Sequence, residues 1–340
     1  MPGDEKMKIM IRYILVMVLL GCSADDRKDE VIVYTSVDQH YSEAVFEQFE
    51  QSTGIKVRAV YDVEANKTTG LVNRLLSEKE TPKADVFWNG EYSQTLLLAA
   101  QGLLTPYRSP RSEHAIWQDE NNLWFAFGGR ARVFIINIEA IGDNPYPTSI
   151  FDLLSDQWPA DKTAIAMPLF GTTATHAAAL WALLGESRAS SFFSDLNKRG
   201  VNLLDGNSVV RDKVASGELW FGLTDSDDAC GAAARGAPIV IRFPDQKEGA
   251  LGTLIIPNTL ALITNGPNKK NGQRLIDFLL SENIQTQLAI SGWFHIEGKS
   301  VSTQNDCPLP ETIQVMDVSP DDVYAQLQVT NPFLRDLILR

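Results

Sequence analysis

Cysteine is scarce in this chain: Cys22, Cys230 and Cys307 are the three present in 340 residues. No CxxC pair or Cys/His spacing accompanies them, which excludes a disulfide-built scaffold and a structural zinc site of the usual kind. Positive charge is in the minority as well. Lys and Arg number 30 against 43 Asp and Glu, a formal net charge of −13. The summed field repels phosphate backbones, so no nucleic-acid partner is expected. Catalytic signatures are missing too, since no GxSxG, HExxH or SxxK occurs. What remains is a chain that is 44% hydrophobic, enough for the cores of two domains.

The one long apolar run stands at the start. Lys6, Lys8 and Arg12 precede Tyr13–Leu20, which is shorter than the ~20 residues of a spanning helix and reads as a signal peptide over residues 1–21. Leu19-Leu20-Gly21-Cys22 looks like a bacterial lipobox, in which Cys22 would carry lipid and become the new N-terminus. Residues 22–30 then form a polar tether, and the mature protein is expected on the periplasmic or extracellular face of a bacterial membrane. In that oxidising compartment Cys230 and Cys307 could pair, or either could stay a free thiol.

Strand and helix patterns alternate along the mature chain. Val31–Thr35 is apolar and β-branched, Tyr41, Val45, Phe46 and Phe49 recur at helical spacing, Gly54 stops them, and Ile55–Val60 is a second strand. A helix over 69–80, a strand over 84–88 and a helix over 93–100 repeat the pattern. A second series follows: strands over 132–137 and 164–167, helices over 175–184, 191–198 and 207–216, a strand over 219–223, strands over 254–256 and 260–263, and a helix from Gln273 into the 285–289 region. Such alternation predicts an α/β fold with a largely parallel sheet.

Five phrases in register carry a family resemblance: Val33-Tyr34-Thr35-Ser36, Phe49–Val57, Ala84-Asp85-Val86-Phe87, Gly129–Val133, and Asn207-Ser208-Val209-Val210 leading to Gly217-Glu218. Together they resemble the ferric-ion-binding class of periplasmic solute-binding proteins that feed ABC importers. The resemblance implies a two-lobed type II periplasmic-binding-protein fold with the ligand in a cleft between lobes. Lobe 1 is expected over 31–128 plus about 257–297, and lobe 2 over 129–256 plus about 298–340.

The chemistry-bearing residues fit such a cleft. Asp225, Asp227 and Asp228 follow a strand; charges ~6 Å apart repel by about 3 kcal/mol per pair at an effective dielectric of ~20. Facing a cleft they would want a cation; facing solvent they would cap and solvate a loop. By the resemblance, Asp227 and Asp228 stand where ferric-binding members carry adjacent tyrosines, a departure that leaves carboxylates suited to several hard cations. His40 and Glu91 fall at or near the class's histidine and glutamate ligands, and otherwise read as a polar loop residue and a helix N-terminal carboxylate. Asn89 and Tyr92 flank Glu91 as hydrogen-bonding groups. Gly171, Thr172 and Thr173 precede a long helix whose free N–H groups suit an anion; the class pairs this turn with an asparagine, here Asn207, for a synergistic anion. Asp225 also falls in that anion shell, where an acid weakens the anion proposal. Arg130 and Arg132, two apart, share one face of a strand and could pair ions at a hinge or touch ligand. His176 reads as a packed histidine.

The expectation is therefore a non-enzymatic, monomeric solute-binding lipoprotein of an ABC importer, partnered by a permease and its ATPase. Its cargo would be iron(III) or another metal cation held by His40, Glu91, Asp227 and Asp228, with a synergistic anion. A small organic solute, cationic or phosphate/phosphonate-like, is the alternative; an exported hydrolase or lyase using these carboxylates is the weaker rival. Cys22→Ser should move the protein from the membrane to the soluble fraction, and unchanged membrane association of that variant would remove the lipid anchor.

Overall fold

The computed structural model of the chain describes residues 29–62, 69–115, 117–290, 310 and 312–339. The signal peptide, Cys22, most of the tether and Cys307 lie outside the described residues. No described helix is long and apolar enough to cross a membrane.

The chain starts with β1 (Glu30–Thr35), α1 (Gln39–Thr53) and β2 (Lys56–Tyr61). Gly54 ends α1 in the left-handed conformation, φ 74°, its N–H donating to the Glu50 carbonyl, a turn that only glycine adopts without strain. Next come α2 (Thr69–Ser77), β3 (Val86–Asn89), α3 (Ser93–Ala100), and the short β4 (Leu104–Thr105) and β5 (Trp117–Gln118). β1 pairs in parallel with both β2 and β3. Val31 and Val33 of β1 and Val45, Phe46 and Phe49 of α1 bury together, with Phe46 edge-on to Trp88 at 5.5 Å. The alternating side chains of one strand and one stripe of the helix make this layer.

β6 (Phe125–Asn137) is long, and α4 (Ile138–Ile141), β7 (Thr163–Ala166), α5 (Gly171–Leu184), α6 (Glu186–Arg199), β8 (Asn202–Leu204), α7 (Asn207–Ala215), β9 (Phe221–Asp225), α8 (Ser226–Ala234) and β10 (Ile239–Arg242) follow it. β7 lies parallel to β8 and β9, and Phe221 packs edge-on against Phe134 and Trp158 at 5.6 and 5.5 Å. β11 (Ile255–Ile263), α9 (Lys269–Leu279), α10 (Glu282–Ile290) and α11 (Pro320–Leu339) complete the described chain.

The strand order β2-β1-β3-β11-β6-β9-β7-β8 divides the sheet into two halves. β6 and β11 are shared: residues 125–131 of β6 pair with β11, and residues 132–136 with β9. The two-lobed α/β fold thus hangs on two antiparallel strands, and the sheet, expected to be largely parallel, is mixed: β1 pairs in parallel with β2 and β3 and β7 with β8 and β9, whereas every pairing of β6 and β11 is antiparallel, because these two strands cross between the halves. Where two strands were expected over 254–256 and 260–263, a single strand runs through, with a register shift between Pro257 and Asn258. Proline has no N–H for the ladder, yet β11 stays continuous; the unpaired residue of the bulge is Gly128 of β6, φ 47°, opposite Pro257 and Asn258. α5 begins at Gly171, four residues ahead of the expected start, so the Gly-Thr-Thr segment is its first turn. Cys230 in α8 is disulfide-bonded; its partner lies outside the described residues.

Helix α7 sits hard against β9. A Cβ on Gly222 would lie 2.5 Å from Val210 Cγ1 and 3.0 Å from the Ala164 carbonyl. Gly222→Ala should therefore overpack this layer and cost about 1–3 kcal/mol, read as a lower urea midpoint with unchanged slope.

Candidate functional site

Strands of both halves end at one cleft, as expected at the carboxyl edge of α/β sheets. From the first half come Ser36 after β1 and Gly90 and Glu91 after β3; Arg130 comes from the crossing strand β6; from the second come the first turns of α5 and α7, Asp225 and Asp228. The cleft has an empty volume of about 480 Å³, counting its open mouth.

Its charges are paired. Arg132 is fully buried and donates to Asp225 Oδ1 at 2.6 Å, Asn207 Oδ1 at 2.9 Å, and the Thr172 and Thr173 hydroxyls at 3.3 Å. Thr172 Oγ1 and Asn207 Nδ2 donate to the other Asp225 oxygen at 2.8 and 3.0 Å. Burial opposes ionisation of Asp225, but the Arg132 and Arg130 guanidiniums override it and hold its pKa below the usual carboxylate range. Arg130 Nη1 lies 3.8 Å from Asp225 Oδ2 and 3.6 Å from Asp227 Oδ2. Arg211 of α7 donates to Asp228 at 2.9 Å. Burial, then repulsion from Asp227 and Asp225, raises the Asp228 pKa well above the ordinary value. The period-two spacing of Arg130 and Arg132 thus brings both guanidiniums to Asp225, across the β6–β9 pairing.

Glu91 lines the cleft, yet its carboxylate also holds the start of α3. It accepts from Ser93 N at 2.5 Å, Gln94 N at 3.0 Å and the Ser93 hydroxyl, satisfying donors a helix start leaves open. It further accepts from Thr175 Oγ1 of α5 at 3.1 Å, joining the lobes. Tyr41 of α1 donates to the Asp227 carbonyl at 3.3 Å, a second contact across the cleft. Asn89 lies behind the wall, accepting from Ser36 Oγ at 2.6 Å and donating to Glu91 Oε1 at 3.0 Å. Tyr92 is buried in the core, edge-on to Trp117 at 6.4 Å. His40 is in the first turn of α1, its side chain outside the described residues.

At α5, N-cap Phe170 makes no side-chain cap bond and Gly171 has φ 59°. The first N–H groups, without intrahelical partners, open on the cleft with positive helix polarity. Asp227 and Asp228 occupy the first turn of α8, favourable for their charge. His176 is buried, and burial followed by Arg132 pushes its pKa down to about 3, so it is neutral packing. Arg211 escaped the sequence reading: it lies 17 positions from Asp228, and nothing local to either residue signals the pair. Ser36 and Gly90, which directly follow β1 and β3, were missed as well, since neither carries a charge to mark it.

The profile of a family described as bacterial extracellular solute-binding protein matches residues 31–294. The chain belongs to that family. Among relatives, a Salmonella typhimurium protein named as 2-aminoethylphosphonate-binding and periplasmic is 27% identical over 300 residues, covering 83% of each chain. The major ferric iron-binding protein of Neisseria meningitidis is 25% identical over 311 residues, covering 89% of this chain and 91% of its own. The structure of iron-bound HitA from Pseudomonas aeruginosa superposes with a TM-score of 0.78 at 20% identity, covering 91% and 99%. The resemblance to the ferric-binding class and the two-lobed fold it implied are borne out, and the protein is a solute-binding component of the periplasmic importer type.

The paired charges give a pH dependence. A carboxyl with a raised folded-state pKa keeps its proton longer in the native state than in the unfolded chain. Stability is therefore lost as pH rises from the ordinary Asp range through the raised value. Asp228→Asn should raise the melting temperature of the ligand-free solute-binding protein at pH 7.5, with a smaller gain at pH 4.5. An equal gain at both values would place the cause elsewhere.

Proposed function

We propose that this protein captures, for an ABC importer, a small organic solute with an anionic phosphonate or phosphate head and a cationic amine. The observation that carries this reading is charge balance: Arg130, Arg132 and Arg211 face Asp225, Asp227 and Asp228, and Glu91 adds a carboxylate. A lone metal cation would bring charge to a site already largely neutralised, whereas a zwitterion matches both signs. The first turn of α5, with Thr172 and Thr173, and Arg130 suit the anionic head; Asp228 and Glu91 suit the amine. The aminoethylphosphonate relative supports this cargo.

A second reading keeps iron(III) or another metal as cargo, with His40, Glu91, Asp227 and Asp228 as ligands and an anion beside it. It is favoured by one observation, that oxygens of Asp225, Asp227 and Asp228 lie within 4.8 Å of one another, and by the ferric relative. In either reading we place the protein at the outer face of a membrane, anchored through Cys22, monomeric and docking on a permease with its ATPase, without catalysis of its own.

Thermal shift with 2-aminoethylphosphonate and with ferric nitrilotriacetate separates the cargoes. A solute at a hundred times its dissociation constant stabilises the native state by about 2.7 kcal/mol. The melting temperature should rise with the aminophosphonate and not with the ferric complex, and Thr172→Val should reduce the rise. A response to the ferric complex alone would transfer the assignment to metal.

A further inference from the structure

The apolar lining of the cleft is gathered on one side. Ala166, Met167 and Phe170, from the end of β7 and the turn into α5, form it, whereas the first half and the crossing strand contribute Ser36, Gly90, Glu91 and Arg130. The turn sorts its large side chains. Leu169 packs against the core of the second half, but Met167 and Phe170 are half-buried and join no apolar layer among the described residues.

Helix stability does not explain a phenylalanine at position 170. It is the N-cap of α5, in extended conformation and without a side-chain cap bond, where a Ser, Thr, Asp or Asn oxygen would satisfy one of the open helix donors. Apolar surface left half in water beside a solute site is what a carbon-bearing ligand covers. Inorganic phosphate and a bare ion bring no carbon to it, whereas an organic phosphonate or a phosphate ester does. One methylene in an apolar pocket discriminates by roughly 10- to 200-fold.

We propose that Phe170, with Met167 beside it, is the specificity-determining wall of the cleft: it packs on the carbon chain next to the anionic head and so selects organic phosphonates and phosphate esters over inorganic phosphate. Charge seats the head, and the wall reads what the head carries. This selection rests on the organic-solute reading of the cleft, and the two can fail separately.

The probes are inorganic phosphate, ethylphosphonate and 2-aminoethylphosphonate, each titrated by calorimetry into the ligand-free mature protein. Ethylphosphonate should bind wild type roughly tenfold or more tightly than phosphate. In Phe170→Ala, which like the native residue offers the helix start no side-chain acceptor, that advantage should fall by roughly tenfold while phosphate affinity stays within about twofold of wild type. Phe170→Leu keeps apolar bulk and should retain most of the advantage. Met167→Ala carries the same expectation at roughly threefold, should Phe170→Ala not fold. If wild type takes 2-aminoethylphosphonate but does not favour ethylphosphonate over phosphate, or if Phe170→Ala weakens both alike, the wall is overturned and the cargo reading stands. If wild type binds none of the three, the cargo reading falls and the wall with it.

Discussion

Arg132 touches no solvent and holds side chains from the starts of three helices, Thr172 and Thr173 of α5, Asn207 of α7, and Asp225 at the head of α8. It projects from the strand that both lobes share. A buried charge is tolerable only when paired, and removing one partner of such a pair typically costs about 3–5 kcal/mol. The arrangement of the second lobe's cleft wall follows from this constraint. Three helix starts must converge on one guanidinium, and their loops must be short enough to let them.

The same pairing resolves an apparent contradiction between global and local charge. The chain as a whole carries −13, and its acidic loop read by itself asks for a cation. Folding supplies that cation from within, as arginines from β6 and α7, and the helix starts that surround the loop contribute positive polarity of their own. What the cleft offers a solute is thus a mixture of both signs. Selectivity in such a site comes from leaving the wrong cargo with unpaired charge as much as from contacting the right one.

Contact between the lobes is polar and sparse at the cleft: Thr175 to Glu91, Tyr41 to the Asp227 carbonyl, and Arg130 to the Gly90 carbonyl. The connection beneath is a pair of crossing strands with one bulge at Gly128 of β6, opposite Pro257 and Asn258. Polar contacts of this kind exchange readily with water, whereas the apolar layers within each lobe do not. Away from the cleft the halves are also joined by apolar packing, since Tyr92 and Leu96 of the first half belong to or pack against the core of the second.

The α/β architecture was legible because its causes are local. Apolar β-branched runs such as Val31–Thr35, helical spacing through Val45 and Phe49, and the stop at Gly54 each act within a few residues. The shared face of Arg130 and Arg132 was legible for the same reason, since strand periodicity is two. The start of α5 and the continuity of β11 were not, because tertiary hydrogen bonds from Arg132 and pairing with β6 outweigh the weak helix propensity of threonine and the break at proline. Composition and order thus determined the lobes, the cleft edge and the candidate acids. Whether those acids stand open to a cation or are already answered by arginines, one of them 17 positions away in sequence, was decided only by the fold, since electrostatic energy depends on distance in space and on burial, and neither is written along the chain.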